Sequence, residues 1–119
     1  MSTLEVSNLN DGTTTVATTL VTNGSARAWV NYGTSTSTAS RETFNVTSLT
    51  DEGAGNTTIA LTSSFTNSDY PYVAESANYH ATLNSSSKTS GSFRVATFSQ
   101  THSLEDTGQV CALTHGDLA

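Results

Sequence analysis

The sequence predicts an all-β fold, namely an antiparallel β-sandwich or jelly-roll-like domain. Ser and Thr make up about a third of the 119 residues, and Thr is a good strand former. Apolar side chains recur with a period of two between short polar turns, and no stretch shows a helical period. Disorder is the alternative, because only 34% of the residues are hydrophobic. The net charge of −6 is modest, which favours the folded β protein.

The predicted core is thin, since Leu, Ile, Val and Phe account for fewer than one residue in five. Small domains with little apolar surface to bury are commonly stabilised by disulfides or by oligomerisation. A single cysteine excludes an intrachain disulfide, so we expect an oligomer. With four basic and ten acidic residues, nucleic-acid binding is not expected. No apolar run approaches the length of a membrane span, so no membrane insertion is expected.

Residues 1–23 are expected to form a short N-terminal β tether that docks on a partner or trimerises. The Asp11-Gly12 turn signal separates two weakly alternating runs, which is typical of a hairpin. An isolated hairpin is marginal in water, so the tether should lean on another surface. The apolar side chains expected to dock are Leu4, Val6, Leu9, Val16 and Leu20. Asn23-Gly24-Ser25 is a turn signal, and we place the domain boundary there.

Residues 24–119 are expected to form the sandwich from six to eight short strands. The first, ARAWVNY at 26–32, carries apolar residues on both faces, as a buried strand does. Two alternating runs flank the glycine-rich turn DEGAGN at 51–56 and predict a hairpin. Pro71 places the strand after it at a sheet edge or makes it a strand start. The predicted core side chains are Trp29, Phe44, Val46, Ile59, Leu61, Phe65, Phe93 and Val95.

An ordered set of short motifs runs through this predicted domain. AWVNY at 28–32 is followed by Arg41 and then by TFNVTSLTDEGAGNTTI at 43–59. This order resembles tail-fibre-like proteins of bacteriophages, in which AWVNF precedes an arginine and a segment such as SFNVSSITDNGTGDYTVNF. Looser similarity continues through SDY at 68–70, SFRV at 92–95 and VCAL at 110–113.

The resemblance implies a trimeric β-structured module on the surface of a virion, made in the cytoplasm of the bacterial host. Tail-fibre-like proteins are usually assigned to host attachment, through a glycan or protein of the cell surface. The chain contains no long shaft, so we expect it to sit on another virion protein of the tail or the capsid. A capsid decoration protein, which stabilises or studs the phage head, is therefore the alternative.

Catalytic and metal-binding patterns are absent from the sequence, and we expect no enzyme activity, cofactor or metal. The three histidines are far apart and do not form a zinc-binding spacing. Cys111 lies in an apolar strand and is expected to pack as a small hydrophobe. Two acidic pairs, at 51–52 and 105–106, lie in glycine-containing turns without the spacing of a calcium loop. A small glycan hydrolase remains a third possibility, with two carboxylates as its requirement.

Binding is the expected activity. Tyrosines supply rigid contact area together with a hydroxyl, which suits sugar and protein surfaces. The alternative is that these tyrosines pack within the protein. The candidate receptor contacts are Tyr70, Tyr72, Tyr79, His80 and Lys88. The polar stretch LNSSSKTSGS at 83–92 is expected to form an exposed tip beside them.

Overall fold

The computed structural model describes the backbone of residues 1–119 and every side chain except those of Leu83 and Ser85. The N-terminal segment, residues 1–25, contains β1 (Asn8–Asn10), β2 (Thr15–Ala17) and α1 (Thr18–Gly24). Eight strands follow: β3 (Ala28–Gly33), β4 (Ala39–Phe44), β5 (Val46–Asp51), β6 (Asn56–Leu61), β7 (Tyr72–Ser76), β8 (His80–Leu83), β9 (Ser92–Phe98) and β10 (Val110–Thr114). A short 3-10 turn, Ser85–Ser87, lies between β8 and β9.

The eight strands form the predicted antiparallel sandwich. Sheet 1 has the strand order β4-β3-β10-β7, and sheet 2 has the order β5-β6-β9-β8. All neighbouring strands in both sheets run antiparallel. Pro71 directly precedes β7, which is an edge strand of sheet 1. This position suits a proline, because a proline has no N–H to donate to a sheet ladder. The fold class and this edge position are confirmed.

The loops that connect the strands lie at two opposite ends of the sandwich, which we call the near end and the far end. The near end is where the N-terminal segment enters β3, and it also holds the connections at 62–71 and 84–91. The far end holds the turns at 34–38 and 52–55 and the long connection at 99–109. Because strands alternate in direction, residues close in sequence can lie at opposite ends of the domain.

The core lies between the two sheets, and alternation along the strands supplies most of its side chains. Inward positions of β3 and β6 are buried, whereas the positions between them are more exposed, because successive strand side chains point to opposite faces. The buried members are Ala28, Val30, Tyr32, Ile59, Leu61, Phe65, Tyr70, Phe93, Val95, Val110 and Ala112. Five of the eight predicted core residues are among them, and Val46 packs against the cluster from its margin.

The hairpin predicted around DEGAGN is also confirmed, since β5 and β6 pair antiparallel and Asp51 of β5 lies opposite Thr57 of β6. Its turn contains Gly55 with φ +69°, a left-handed conformation that favours glycine. A Cβ at this position would lie 2.5 Å from the carbonyl oxygen of Thr97. The turn is therefore packed closely against the end of β9.

A single residue, Asn45, carries the chain from sheet 1 to sheet 2. Its φ of 56° is left-handed, a conformation that Asn tolerates better than most residues. Its side-chain amide donates to the carbonyls of Arg27, at 3.0 Å, and Ser63, at 3.1 Å. Its Oδ1 accepts the N–H of Ser63 at 2.7 Å. Asn45 thus joins β4 to β5 and ties this corner to the chain on both sides.

The N-terminal segment departs from the predicted β tether. The hairpin at Asp11-Gly12 is confirmed, because β1 and β2 pair antiparallel. Two backbone N–H groups donate to the Asp11 carboxylate, and these bonds lower the pKa of Asp11. Leu20, however, lies in α1 and not in a strand. The helix buries none of its residues, so it leaves no amphipathic pattern by which the sequence could have predicted it.

Replacing Asn45 tests the corner. We expect Asn45→Ala to lower the free energy of unfolding by about 2–4 kcal/mol, since it combines left-handed strain with the loss of three hydrogen bonds. Asn45→Gly should lie between the wild type and the alanine variant, because glycine relieves the backbone strain but makes no side-chain bonds. Urea denaturation of the three proteins measures the difference. Equal losses in both variants would contradict a role for the backbone conformation.

Candidate functional site

Two of the predicted receptor contacts lie together at the far end of the sandwich. Tyr79 sits in the connection between β7 and β8, and His80 begins β8. The Tyr79 hydroxyl donates to Oε1 of Glu105 at 3.0 Å, and this bond raises the pKa of the tyrosine. The ring centroid of His80 lies 6.5 Å from that of His102, which follows β9. Side chains from two separate connections therefore meet at this end.

A shallow groove of about 470 Å³ runs beside the two histidines. Its lining residues are His80, Ala81, Thr82, Phe98 and His102. The groove combines an aromatic surface with imidazole nitrogens that both donate and accept hydrogen bonds. Within the described side chains, no group of three or more His, Cys, Asp or Glu residues is placed to hold a metal ion. The far-end groove is suited to contact with a polar surface.

The other predicted contacts lie at the near end, so the predicted set is not one site. The prediction for Tyr70 is wrong, because its ring is only 4% exposed and stacks on Phe65 with a centroid distance of 4.1 Å. Its hydroxyl donates to the carbonyls of Thr89 and Ser92. Tyr70 belongs to the core.

Tyr72 and Lys88 are also engaged within the chain. The half-buried Tyr72 ring packs on Phe93, and its hydroxyl donates to the Arg94 carbonyl. Lys88 Nζ donates to the Tyr70 carbonyl at 2.8 Å and lies 4.9 Å from the centre of the Tyr70 ring. The polar stretch 83–92, predicted as an exposed tip, covers the near end of the core through this lysine.

A second candidate surface is the outer face of sheet 1. The predictions of Trp29 and Phe44 as core residues are wrong: their side chains are 37% and 53% exposed. The inward positions of β3 are Ala28, Val30 and Tyr32, so Trp29 points outward. Phe44 is paired with it across the strands, with ring centroids 6.4 Å apart.

These two rings belong to a row that crosses all four strands of sheet 1. Strand pairing places Phe44 beside Trp29, Trp29 beside Leu113 and Leu113 beside Val73. All four side chains are exposed large hydrophobics. We call this set, Phe44, Trp29, Leu113 and Val73, the apolar row.

A parallel row of more polar residues lies next to the apolar row, in the order Glu42, Asn31, Cys111 and Glu75. The two rows, apart from Phe44, line a shallow groove of about 480 Å³. Cys111 is exposed in this groove, so the prediction that it packs as a small hydrophobe is wrong. It occupies an outward position between buried Val110 and Ala112. Asn31 Oδ1 is shielded from solvent but receives no hydrogen bond from the described residues.

The acidic pairs are used in local structure. Glu52 forms an ion pair with Arg94 at 2.9 Å and accepts the Thr58 hydroxyl at 2.7 Å. Asp106 Oδ1 accepts the N–H of Gly55 at 2.8 Å, and Glu105 binds the Tyr79 hydroxyl. These contacts hold the far-end turns in place.

Comparison of the chain with protein-family models, with curated proteins and with solved structures finds no match. Across the residues that the structure describes, no helix has the length and apolar character needed to cross a bilayer.

The buried tyrosines predict a loss of stability in alkali. Burial raises the pKa of both Tyr70 and Tyr72 to about 12, above the value near 10 of an unfolded tyrosine. Their contribution is complete below about pH 10, because both states then hold the proton. It falls as the pH rises towards 12, since only the unfolded state loses protons in this interval.

Urea midpoints at about pH 8 and about pH 11 measure this loss, which should be smaller in Tyr72→Phe than in the wild type. An equal pH dependence in both proteins would contradict the assignment of Tyr72 to the core margin.

Proposed function

We propose that this chain is a non-enzymatic structural protein of a phage virion surface, a tail-fibre-like module for attachment to the host. In this proposal the N-terminal segment docks on another virion protein and the far end of the sandwich faces outward. One observation carries it: the N-terminal segment exposes apolar side chains that its own sandwich leaves uncovered. These are Met1, Leu4, Val6, Leu9, Leu20 and Val21, with Leu4 82% and Leu20 66% exposed.

The total surface of the chain supports docking. The protein is elongated, with extents of 52 × 27 × 25 Å, and its accessible surface is 7155 Å². A compact monomer of 12.4 kDa exposes about 6,100 Å². The excess of about 1,000 Å² is similar to the roughly 800 Å² that each partner buries in a standard interface. The additional accessible surface of the chain is therefore large enough to form a stable contact with a partner.

The local structure of the N-terminal segment points the same way. A two-stranded hairpin is marginal in water, and a helix as short as the seven-residue α1 is marginal without packing. Burying Leu4, Leu9 and Leu20 on a partner would supply about 1.5–3 kcal/mol for each side chain. The segment is expected to be most stable when docked.

The same reasoning supports a homotrimer. The core is thin, and two apolar surfaces, the N-terminal segment and the apolar row, lie outside it. Association of three copies would cover apolar surface that one copy exposes, and hydrophobic burial is the main driving force of such association.

Host attachment is the leading function because the far end offers a contact surface opposite the docking segment. Tyr79, His80 and His102 present aromatic area and hydrogen-bonding groups there, suited to a glycan or protein of the cell surface. Capsid decoration is the alternative. It would use the same N-terminal docking segment but would need no receptor contact at the far end.

Docking predicts a specific loss of particle association. We expect Leu4→Asp combined with Leu9→Asp to abolish incorporation into virions, because two charges would enter the buried interface. Leu104→Asp is the control, since Leu104 is about as exposed as Leu9 but lies in the sandwich domain. Quantitative immunoblotting of purified particles measures incorporation. Normal incorporation of the double variant would contradict docking through the N-terminal segment.

Attachment predicts a difference between the two ends of the sandwich. We expect Tyr79→Ala combined with His80→Ala to weaken binding of the soluble protein to host cells by about tenfold or more, which corresponds to one lost contact of moderate strength. Lys88→Ala, at the near end, should bind as the wild type does.

Cryo-electron microscopy of the virion then separates the two functions. Density at the tail together with cell binding supports attachment. Density on the head together with absence of cell binding supports decoration.

A further inference from the structure

We infer that a small pocket formed by Arg41, the loop before β4 and Gly108 binds an oxyanion group of an acidic polysaccharide. We call it the Arg41 pocket; its volume is about 170 Å³ and it lies at the far end of the sandwich. The oxyanion is a carboxylate, a sulfate or a phosphate, which share the geometry that a guanidinium recognises. This inference deepens the proposed attachment function by naming the class of ligand, and its role in attachment rests on that proposal.

The backbone of β4 places Arg41 in an irregular position. Strand pairing sets Glu42 opposite Asn31 but Ser40 opposite Tyr32, so Arg41 is the extra residue of a β-bulge. The strand β4 is an edge strand of sheet 1. Bulges are common at sheet edges and next to functional sites, where they redirect a side chain. The bulge therefore accounts for a side chain of β4 that lines a pocket at the end of the sheet.

The Arg41 guanidinium is held in place by one hydrogen bond. Its Nη2 donates to the carbonyl oxygen of Gly108 at 2.6 Å. Gly33 permits this contact, because a Cβ there would lie 2.6 Å from the same carbonyl oxygen and 3.5 Å from Nη2. A guanidinium has five N–H donors, so most of them stay available. A cation oriented in advance loses less conformational entropy when it binds a ligand.

No carboxylate of the described chain pairs with this guanidinium. The ion pair that the described side chains form joins Arg94 to Glu52. The nearby carboxylates of Glu105 and Asp106 accept hydrogen bonds within the far-end connections. None of the residues that line the Arg41 pocket is acidic, although the chain has ten acidic residues. The guanidinium is therefore available to an oxyanion from outside the chain.

Hydroxyl groups make up most of the remaining lining of the pocket. A hydroxyl both donates and accepts hydrogen bonds, so it can bind an oxyanion and also the hydroxyls of a sugar ring. Protein interfaces, in contrast, are centred on aromatic and other large apolar side chains. The apolar side chain in this lining is a single alanine, Ala39. The composition favours a sugar acid over a protein surface. The hydroxyl residues are Ser35, Thr36, Ser37 and Ser40.

The Arg41 pocket lies at the end of the molecule that faces outward in the proposed function. The backbone N–H groups of Thr34 and Ser35 donate to the Thr107 carbonyl at 2.9 and 3.2 Å. The loop before β4 is thus tied to the connection at 99–109, which also carries His102. A polysaccharide with repeated acidic units could contact this pocket and the far-end groove together.

Binding of polymers of known charge tests the site. We expect the full chain to bind at least one of immobilised polygalacturonate, dextran sulfate and phosphorylated dextran, and not neutral dextran. The net charge of −6 makes non-specific attraction to a polyanion unexpected. The polymer that binds most tightly identifies the oxyanion, and its binding should weaken as the salt concentration rises.

The decisive variant is Arg41→Ala, which should raise the dissociation constant for that polymer by about tenfold or more, as for a lost hydrogen bond to a charged group. Arg41→Lys should restore only part of the affinity, because an ammonium keeps the charge but lacks the planar fork. Arg27→Ala is the matched control, since it removes the same charge from a groove at the near end, and it should bind as the wild type does. A cooperative urea transition checks the fold of each variant.

The outcomes separate this inference from the proposed function. Absence of binding to all three acidic polymers, or an equal effect of Arg41→Ala and Arg27→Ala, would overturn the inference. If Arg41→Ala binds host cells as the wild type does while the Tyr79→Ala, His80→Ala double variant does not, attachment stands and the role of the Arg41 pocket in it is overturned. Polymer binding through Arg41 without any binding to host cells would support the pocket and overturn the attachment function.

Discussion

The left-handed conformation of Asn45 is the constraint on which the sandwich depends. Residues 39–44 form β4 in sheet 1 and residues 46–51 form β5 in sheet 2, one on each side of Asn45. The corner at φ 56° divides them, so that Phe44 ends β4 on the outside of sheet 1 and Val46 begins β5 against the core. Three side-chain hydrogen bonds hold this corner to Arg27 and Ser63. This corner is one of the connections that join the two sheets, and it places Phe44 and Val46 in different sheets.

The same corner shows how far the sequence could predict the structure. Local alternation and turn chemistry can be recognised from the sequence alone. They predicted the fold class, the hairpin around DEGAGN and the edge position after Pro71. Phe44 and Val46 are two positions apart, which is the spacing of residues on the same face of one strand. Only the backbone at Asn45 sends them to different sheets. For Trp29, a period of two shows which side chains share a face but not which face is inside. The helix α1 could not be predicted because it buries no residue.

The receptor-contact prediction failed in part for a topological reason. Tyr70 and Tyr79 are nine positions apart in the sequence, but β7 lies between them and carries the chain from the near end to the far end. The aromatic side chains at the near end are used to close the core, with Lys88 placed over Tyr70. The aromatic side chains at the far end do not close the core, because backbone and carboxylate contacts hold the turns there. The far-end pair, Tyr79 and His80, remains a prediction.

The distribution of apolar side chains links the thin core to assembly. Alternation gives the central strands β3 and β10 of sheet 1 one inward and one outward set, and the inward set includes small residues such as Ala28 and Ala112. The larger outward members, Trp29 and Leu113, contribute little to the core and much to the exposed surface. A chain with so few large apolar residues would gain most by burying both sets, one within the subunit and one between subunits. Within the motif AWVNY, Val30 and Tyr32 stabilise the core, whereas Trp29 lies on the outer face of sheet 1.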